Sequence, residues 1–145
     1  MKNKKPMFIA VLLILAVILS GCATKKEGGE LAFCQKLSKC ETGSLEVEDN
    51  KTKDVYGLSI LGKQNNSCEI GLSLQKAGTE KLKPLEKLEA VCSQKWNSKF
   101  EKIANFTEPA CKKYIDSLTI NLMANAANQN STICTGKLRE ELVKK

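Results

Sequence analysis

The chain has 145 residues, the length of one domain, and only 5% of it is aromatic, so its core should be thin and should profit from cross-links. Its formal charge is +7 with no histidine anywhere, which excludes Ser-His-Asp and Cys-His catalysis and any His-ligated metal. The basic excess is lysine, with Arg139 the single arginine, and this argues against a nucleic-acid reader, which needs guanidinium forks for bidentate contacts.

The first residues read as an export leader. Met1–Lys5 is basic, and Met7–Leu19 is an unbroken apolar run of 13 residues. A helix needs about 20 apolar residues to span a bilayer, so this run suits the core of a signal peptide. Leu19, Ser20, Gly21 and Cys22 follow directly. This arrangement resembles bacterial lipoprotein precursors, whose lipobox is Leu, a small residue, Gly or Ala, and the lipidated Cys. The resemblance covers residues 1–22 only. It implies a diacylglycerol thioether on Cys22, cleavage between Gly21 and Cys22, and a new amino group open to acylation, for instance by palmitate. Ala23, rather than Asp, after the cysteine implies the outer membrane if the cell is Gram-negative. The alternative is an uncleaved anchor with an incidental cysteine.

Cleavage would divide the chain into a signal peptide (1–21), a lipidated tether (22–30) and one domain (31–145). Lys2, Lys4 and Lys5 leave with the leader, so the remaining 124 residues carry 20 Lys/Arg against 16 Asp/Glu, a mild +4. The expected surface is an ordinary solvated mixture of Lys and Glu. Two or more acyl chains would hold the protein stably, and Lys25 and Lys26 would add little more than solubility to the tether.

The seven cysteines are an odd number for an exported chain. Setting Cys22 aside for lipid leaves Cys34, Cys40, Cys68, Cys92, Cys111 and Cys134, a pairable six that reads as three disulfides. Metal is the weaker alternative, because the closest pair, Cys34 and Cys40, has five residues between and zinc pairs are usually tighter. No Cys-x-x-Cys redox motif is present. Six cysteines allow 15 pairings, and only Cys34 with Cys40 is disfavoured, since a helix over 31–40 points them to different sides.

Within the domain, Leu31, Cys34, Leu37 and Cys40 recur at helical spacing, and Gly43 can end that helix. The period then becomes two. Leu45 and Val47, then Tyr56, Leu58 and Ile60, then Cys68, Ile70, Leu72 and Leu74 alternate with polar or small residues. Asp49-Asn50 and Gly62–Asn66 carry turn chemistry. The reading is a three-stranded antiparallel meander. After Pro84, Leu85, Leu88, Cys92, Trp96, Phe100 and Ile103 form one helical stripe. A rival reading makes 88–94 a fourth strand followed by a shorter helix. Thr107 with Pro109 opens the next helix, striped by Cys111, Ile115, Leu118 and Leu122, and the Asn-rich stretch 125–130 ends it. A short helix from about Thr135 closes the chain, with Cys134, Leu138 and Leu142 on one side and Glu140–Lys144 and Glu141–Lys145 as i,i+4 pairs. The fold class is therefore α+β: an N-terminal helix, a small three-stranded antiparallel sheet, then two or three helices, stapled by three disulfides.

Few residues suggest chemistry. Glu46 and Glu48 are a regular carboxylate pair, but on the wet face of a strand. Ser73 and Lys76 match Ser-x-x-Lys, yet a strand would point them to opposite faces, and the companion motifs are missing. Gly62-Lys63 and Gly136-Lys137 lack the spacing of a phosphate loop. Asn50, Asn65, Asn105 and Asn130 each begin an Asn-x-Ser/Thr triplet, which an Asn-rich composition suffices to explain. Trp96 belongs to the core stripe by position. No catalytic residue, cofactor or metal is expected. The expected function is a non-catalytic envelope lipoprotein that binds or scaffolds an envelope protein or glycan, with membrane lipid engaged through Cys22 and no nucleic-acid partner. The alternatives are an inhibitor of an incoming hydrolase such as a lysozyme, acting through the loop Lys63–Ser67, and an enzyme of unrecognised type.

Overall fold

The computed structural model describes residues 29–144. The leader, the lipobox (Leu19, Ser20, Gly21, Cys22) and most of the tether lie outside them.

Four helices and five strands follow in the order α1 (Glu30–Lys39), β1 (Gly43–Glu48), β2 (Val55–Gln64), β3 (Ser67–Lys76), β4 (Glu89–Lys95), α2 (Ser98–Ile103), α3 (Glu108–Ala127), β5 (Cys134–Thr135) and α4 (Lys137–Val143). The strands form one antiparallel sheet in sequential order, β1-β2-β3-β4-β5. The expected arrangement, a three-stranded sheet followed by two or three helices, is thus overturned. Residues read as helix after Pro84 form only a 3-10 turn at Lys83–Leu85, and the chain then becomes β4. Lys87 adopts a left-handed φ of 65°, which a continuing α-helix does not allow, and its N–H bonds the Leu74 carbonyl on β3 at 2.7 Å. The edge of β3 needs partners for its backbone groups, and β4 supplies them from Ser67↔Lys95 to Ser73↔Glu89. The rival strand reading of 88–94 is the one that matches. The last helix also starts later than expected, because Cys134 lies in β5, paired directly with Cys92.

Alternation along the strands sets the core. Leu58, Ile60, Cys68, Ile70, Leu72, Leu74, Ala90 and Cys92 face inward and are buried, and they join Phe33 and Leu37 of α1 with Ile115, Leu118 and Leu122 of α3 in one cluster. The opposite face carries Gly57, Ser59, Gly71 and Ser93, all part exposed. Helix α1 ends at Cys40 rather than Gly43. Cys40 takes the left-handed conformation (φ 54°), and the Cys40 and Glu41 N–H groups bond the carbonyls of Leu37 and Lys36.

Three disulfides staple these layers. Cys34–Cys111 joins α1 to α3, Cys40–Cys68 joins the end of α1 to β3, and Cys92–Cys134 joins β4 to β5. β3, β4, α3 and β5 each receive one cystine, and α1 with its C-terminal cap Cys40 receives two, so it is fixed at both its middle and its end.

The C-terminal end of α3 has an unusual cap. Helix C-termini leave carbonyls without partners. Here the Arg139 guanidinium donates to the Ala126, Asn128, Gln129 and Ser131 carbonyls at 3.3, 2.8, 3.2 and 2.6 Å. Arg139→Ala should lower stability by about 1–2 kcal/mol, because several charge-assisted bonds are lost at a part-exposed site. Arg139→Lys should recover less than half of that, since one ammonium cannot span four carbonyls. Urea denaturation of the two variants measures both. The expected Glu140–Lys144 pair does not form; Lys144 instead meets Glu141 at 2.7 Å.

Candidate functional site

A concavity lies where the β1–β2 connection meets α3. Asp49 organises that connection. Its Oδ1 accepts the Lys51 and Thr52 N–H groups at 2.7 and 3.2 Å, its backbone N–H bonds the Asp54 carbonyl, and its carbonyl accepts the Lys53 N–H. The two N–H bonds hold the Asp49 carboxyl below its ordinary value. Lys53 closes the outer side by pairing with Glu48 at 3.2 Å. Opposite, Lys112, Asp116, Thr119, Ile120 and Met123 recur at helical spacing along one flank of α3.

Between them is a groove of about 380 Å³, lined by Val47, Tyr56, Thr119, Ile120 and Met123 together with the charged and polar groups of Glu48–Lys51, Lys112 and Asp116. That volume is at the small end of ligand pockets. Ile120 is 67% exposed, whereas the core stripe beside it is buried. Lys112 bonds both Glu30 (3.3 Å) and Asp116 (3.5 Å). Partial burial alone would lower the Lys112 ammonium pKa, but the Glu30 bond and the two carboxylates outweigh it and raise it. The same pair ties the first residue of α1, and so the start of the described chain, to the rim of the groove.

Tyr56 is the titratable group in the groove with the largest displacement. Burial, the charge of Asp54 and the hydroxyl's bond to Asp54 Oδ2 (3.3 Å) push it up to about 12. Burial raises Tyr114 as well. These are the chain's two tyrosines. An absorbance titration at 295 nm should therefore show Tyr56 still protonated at pH 10, where a free phenol is half ionised, with Tyr114 displaced in the same direction. Because the folded pKa is the higher one, the tyrosine contribution to stability is complete below pH 10 and is lost as pH rises toward 12. A normal transition near pH 10 in the folded protein would contradict this geometry.

No family model, curated protein or solved structure matches this chain. Its residues alone carry the functional reading.

The other residues singled out in the sequence stand apart from the groove or serve structure. Cys34, Cys40, Cys68, Cys92, Cys111 and Cys134 are all consumed in the three cystines, the pattern of an exported, non-cytoplasmic chain. Glu46 and Glu48 sit exposed on β1, and Glu48 reaches the groove only at its rim. Ser73 is buried on β3, where its hydroxyl bonds the Gly57 carbonyl (3.4 Å) and accepts from Gln75 Nε2 (2.6 Å). The loop Lys63–Ser67 is a tight hairpin tip with Asn65 and Asn66 both left-handed (φ 44° and 65°). Trp96 is not on a helix stripe. It is half-buried after β4, stacked on Phe100 with centroids 5.1 Å apart, and Lys63 Nζ lies 4.9 Å from its ring centre. Among the described residues, no group of three or more His, Cys, Asp or Glu could hold a metal, and no helix is long and apolar enough to cross a membrane.

The sequence reading passed over Ile120 and Met123. The available signal was a lone isoleucine on the wet side of an amphipathic helix, two positions from Leu118 and Leu122 of the core stripe. That signal is weak, because single exposed apolar residues are common.

Proposed function

We propose that the protein is an exported lipoprotein, held to a membrane through Cys22, whose body is a non-catalytic domain that binds a protein or glycan of the cell envelope through the groove between the β1–β2 connection and α3. The observation that carries the binding reading is Ile120, two-thirds exposed on a rim where Tyr56, Met123 and charges of both signs converge. An apolar anchor point within a polar rim is the composition of a recognition surface. The three cystines support export, and they make a rigid body that loses little entropy on binding. The Glu30–Lys112 pair holds the first described residues beside the groove, and a lipid on Cys22 would then keep the groove near the membrane.

Two measurements separate anchor from groove. Intact mass of the protein from the membrane fraction reads the anchor: a chain starting at lipidated Cys22 agrees, and one retaining Met1 without lipid does not. Affinity capture from envelope extracts with the wild type and Ile120→Asp reads the groove. Stability should change by no more than about 0.5 kcal/mol, as at other exposed sites, while recovery of the bound partner falls at least tenfold. Equal recovery by both would remove the groove from the account.

Inhibition of an incoming hydrolase is the second reading, favoured by the β2–β3 tip. Two left-handed residues, the Trp96 N–H to Asn66 carbonyl bond (3.0 Å) and the Lys63–Trp96 contact brace it as a rigid protrusion. Absence of inhibition of lysozymes by the purified domain would dismiss it.

A further inference from the structure

We infer that Asn50, Asn65, Asn105 and Asn130 are acceptor sites for N-linked oligosaccharide. Nine asparagines follow Cys22, and four of them stand two positions before Ser or Thr with no proline between. Ser and Thr make up about one in seven of those residues, so a random arrangement would give about one such triplet. The Asn-rich composition that sufficed at first sight therefore falls short once the triplets are counted.

The folded domain leaves all four side chains open to an enzyme, as it does Asn66 and Asn121, which lack the hydroxyl residue two positions on. All four are exposed, and each stands on a different connection: β1–β2, β2–β3, α2–α3 and α3–β5. None of the four amides makes a side-chain hydrogen bond among the described residues. Three of the other five asparagines do. Asn97 caps α2 by accepting the Lys99 N–H (2.9 Å), Asn125 bonds the Asn121 carbonyl and the Ser131 hydroxyl (2.8 and 3.1 Å), and Asn128 accepts the Asn130 N–H (2.9 Å). Asparagine on a turn ordinarily earns its place by such local bonds. Asn50, Asn105 and Asn130 are on turns without them, while Asn65 fills a left-handed position of the hairpin tip (φ 44°) and leaves its amide unbonded. The hydroxyl partners Thr52, Thr107 and Thr132 are exposed, and Ser67 is part exposed. Thr107 even stands at the N-cap of α3 without using its hydroxyl as a cap.

The reaction would be attack of the Asn Nδ2 on the anomeric carbon of an oligosaccharide activated as a polyprenyl phosphate or pyrophosphate. The C–N bond forms, the anomeric C–O bond breaks, the phosphate leaves with the electron pair, and the amide proton passes to solvent. A sugar added at any of the four breaks no side-chain hydrogen bond among the described residues. At Asn50, which lines the groove, it would stand directly at the opening. The inference needs export, which the cystines support, and needs neither the lipid nor the groove.

The test is peptide mapping by mass spectrometry of the protein purified from the envelope of its own cells. Sugar masses are expected on the peptides holding Asn50, Asn65, Asn105 and Asn130, with the Asn97 peptide at its plain mass. Thr52→Ala should leave the Asn50 peptide bare, and Thr52→Ser should restore the sugar. Plain mass on all four peptides, or an Asn50 peptide still carrying sugar in Thr52→Ala, would overturn the inference. The N-terminal peptide of the same digest reports lipid on Cys22 separately, so the anchor and the glycans fail or stand independently.

Discussion

Replacing Cys34 and Cys111 together by alanine is expected to lower the free energy of unfolding by about 4 kcal/mol. The two cysteines are 77 positions apart, the longest span of the three cystines, which separate 28 and 42 residues in the other cases. The chain-entropy relation gives roughly 4.5 kcal/mol for a loop of that length and about 3.6 kcal/mol for the shortest. The loss falls on a vulnerable element. Helix α1 has 10 residues, and a helix of that length is marginal without tertiary support. Its Phe33 and Leu37, on either side of the cystine, are buried against the rest of the core. Both sulfur positions are fully buried, so the alanines expose no new polar group and the measured change reports the cross-link and its packing. Since a small domain has only about 5–15 kcal/mol in total, the double variant should unfold at a markedly lower urea concentration, monitored by circular dichroism. A change under about 1 kcal/mol would mean that α1 is held by packing and by Cys40–Cys68 alone.

Gly78→Ala is expected to cost about 3 kcal/mol or more, although Gly78 is exposed. A methyl group built on Gly78 would lie 1.7 Å from the Thr52 carbonyl oxygen and within 3 Å of the Thr52 and Lys53 carbonyl carbons. These are backbone atoms, so no rotamer change relieves the clash. The β1–β2 connection and the segment after β3 must move apart. That motion breaks the bond from the Gly78 N–H to Asp54 Oδ1 at 2.7 Å and strips a buried carboxylate of a partner. Asp54 also accepts the Tyr56 hydroxyl, so the disturbance reaches the groove. The tyrosine titration should then move down toward pH 10 in Gly78→Ala. Thermal unfolding measures the first effect, and a melting temperature within 2 °C of the wild type would contradict it.

The parts of the fold that could be read were those whose pattern has one solution. Tyr56, Leu58 and Ile60 and then Cys68 to Leu74 alternate strictly, because one face is buried and the other is wet, and they form β2 and β3. Residues 85–96 have two solutions. Leu88, Cys92 and Trp96 fit a helix, while Ala90 and Cys92 alternate with Glu89, Val91 and Ser93. The choice is made by the unpaired edge of β3, a long-range fact that no local period contains. Strand β5 is two residues long and exists because Cys134 is bonded to Cys92 and the Ile133 carbonyl accepts the Ser93 N–H at 2.7 Å. No pattern of two residues could announce it. The groove was illegible for the same reason, since Val47–Tyr56 and Lys112–Met123 come together only when α3 packs on the sheet. The triplet asparagines were visible as a motif from the start. What the fold added is that all four amides are exposed and make no side-chain hydrogen bond among the described residues.

Site-specific photo-cross-linking in intact cells tests the central claim, recognition through the groove, most directly. A photoreactive residue replacing Ile120 would be compared with one replacing Lys137, exposed at the start of α4 and not part of the groove lining. One dominant cross-linked partner is expected from position 120, absent from position 137 and lost when Met123→Asp is added. Equal cross-linking from both positions, or none from position 120 in cells where the protein is folded and exported, would contradict it.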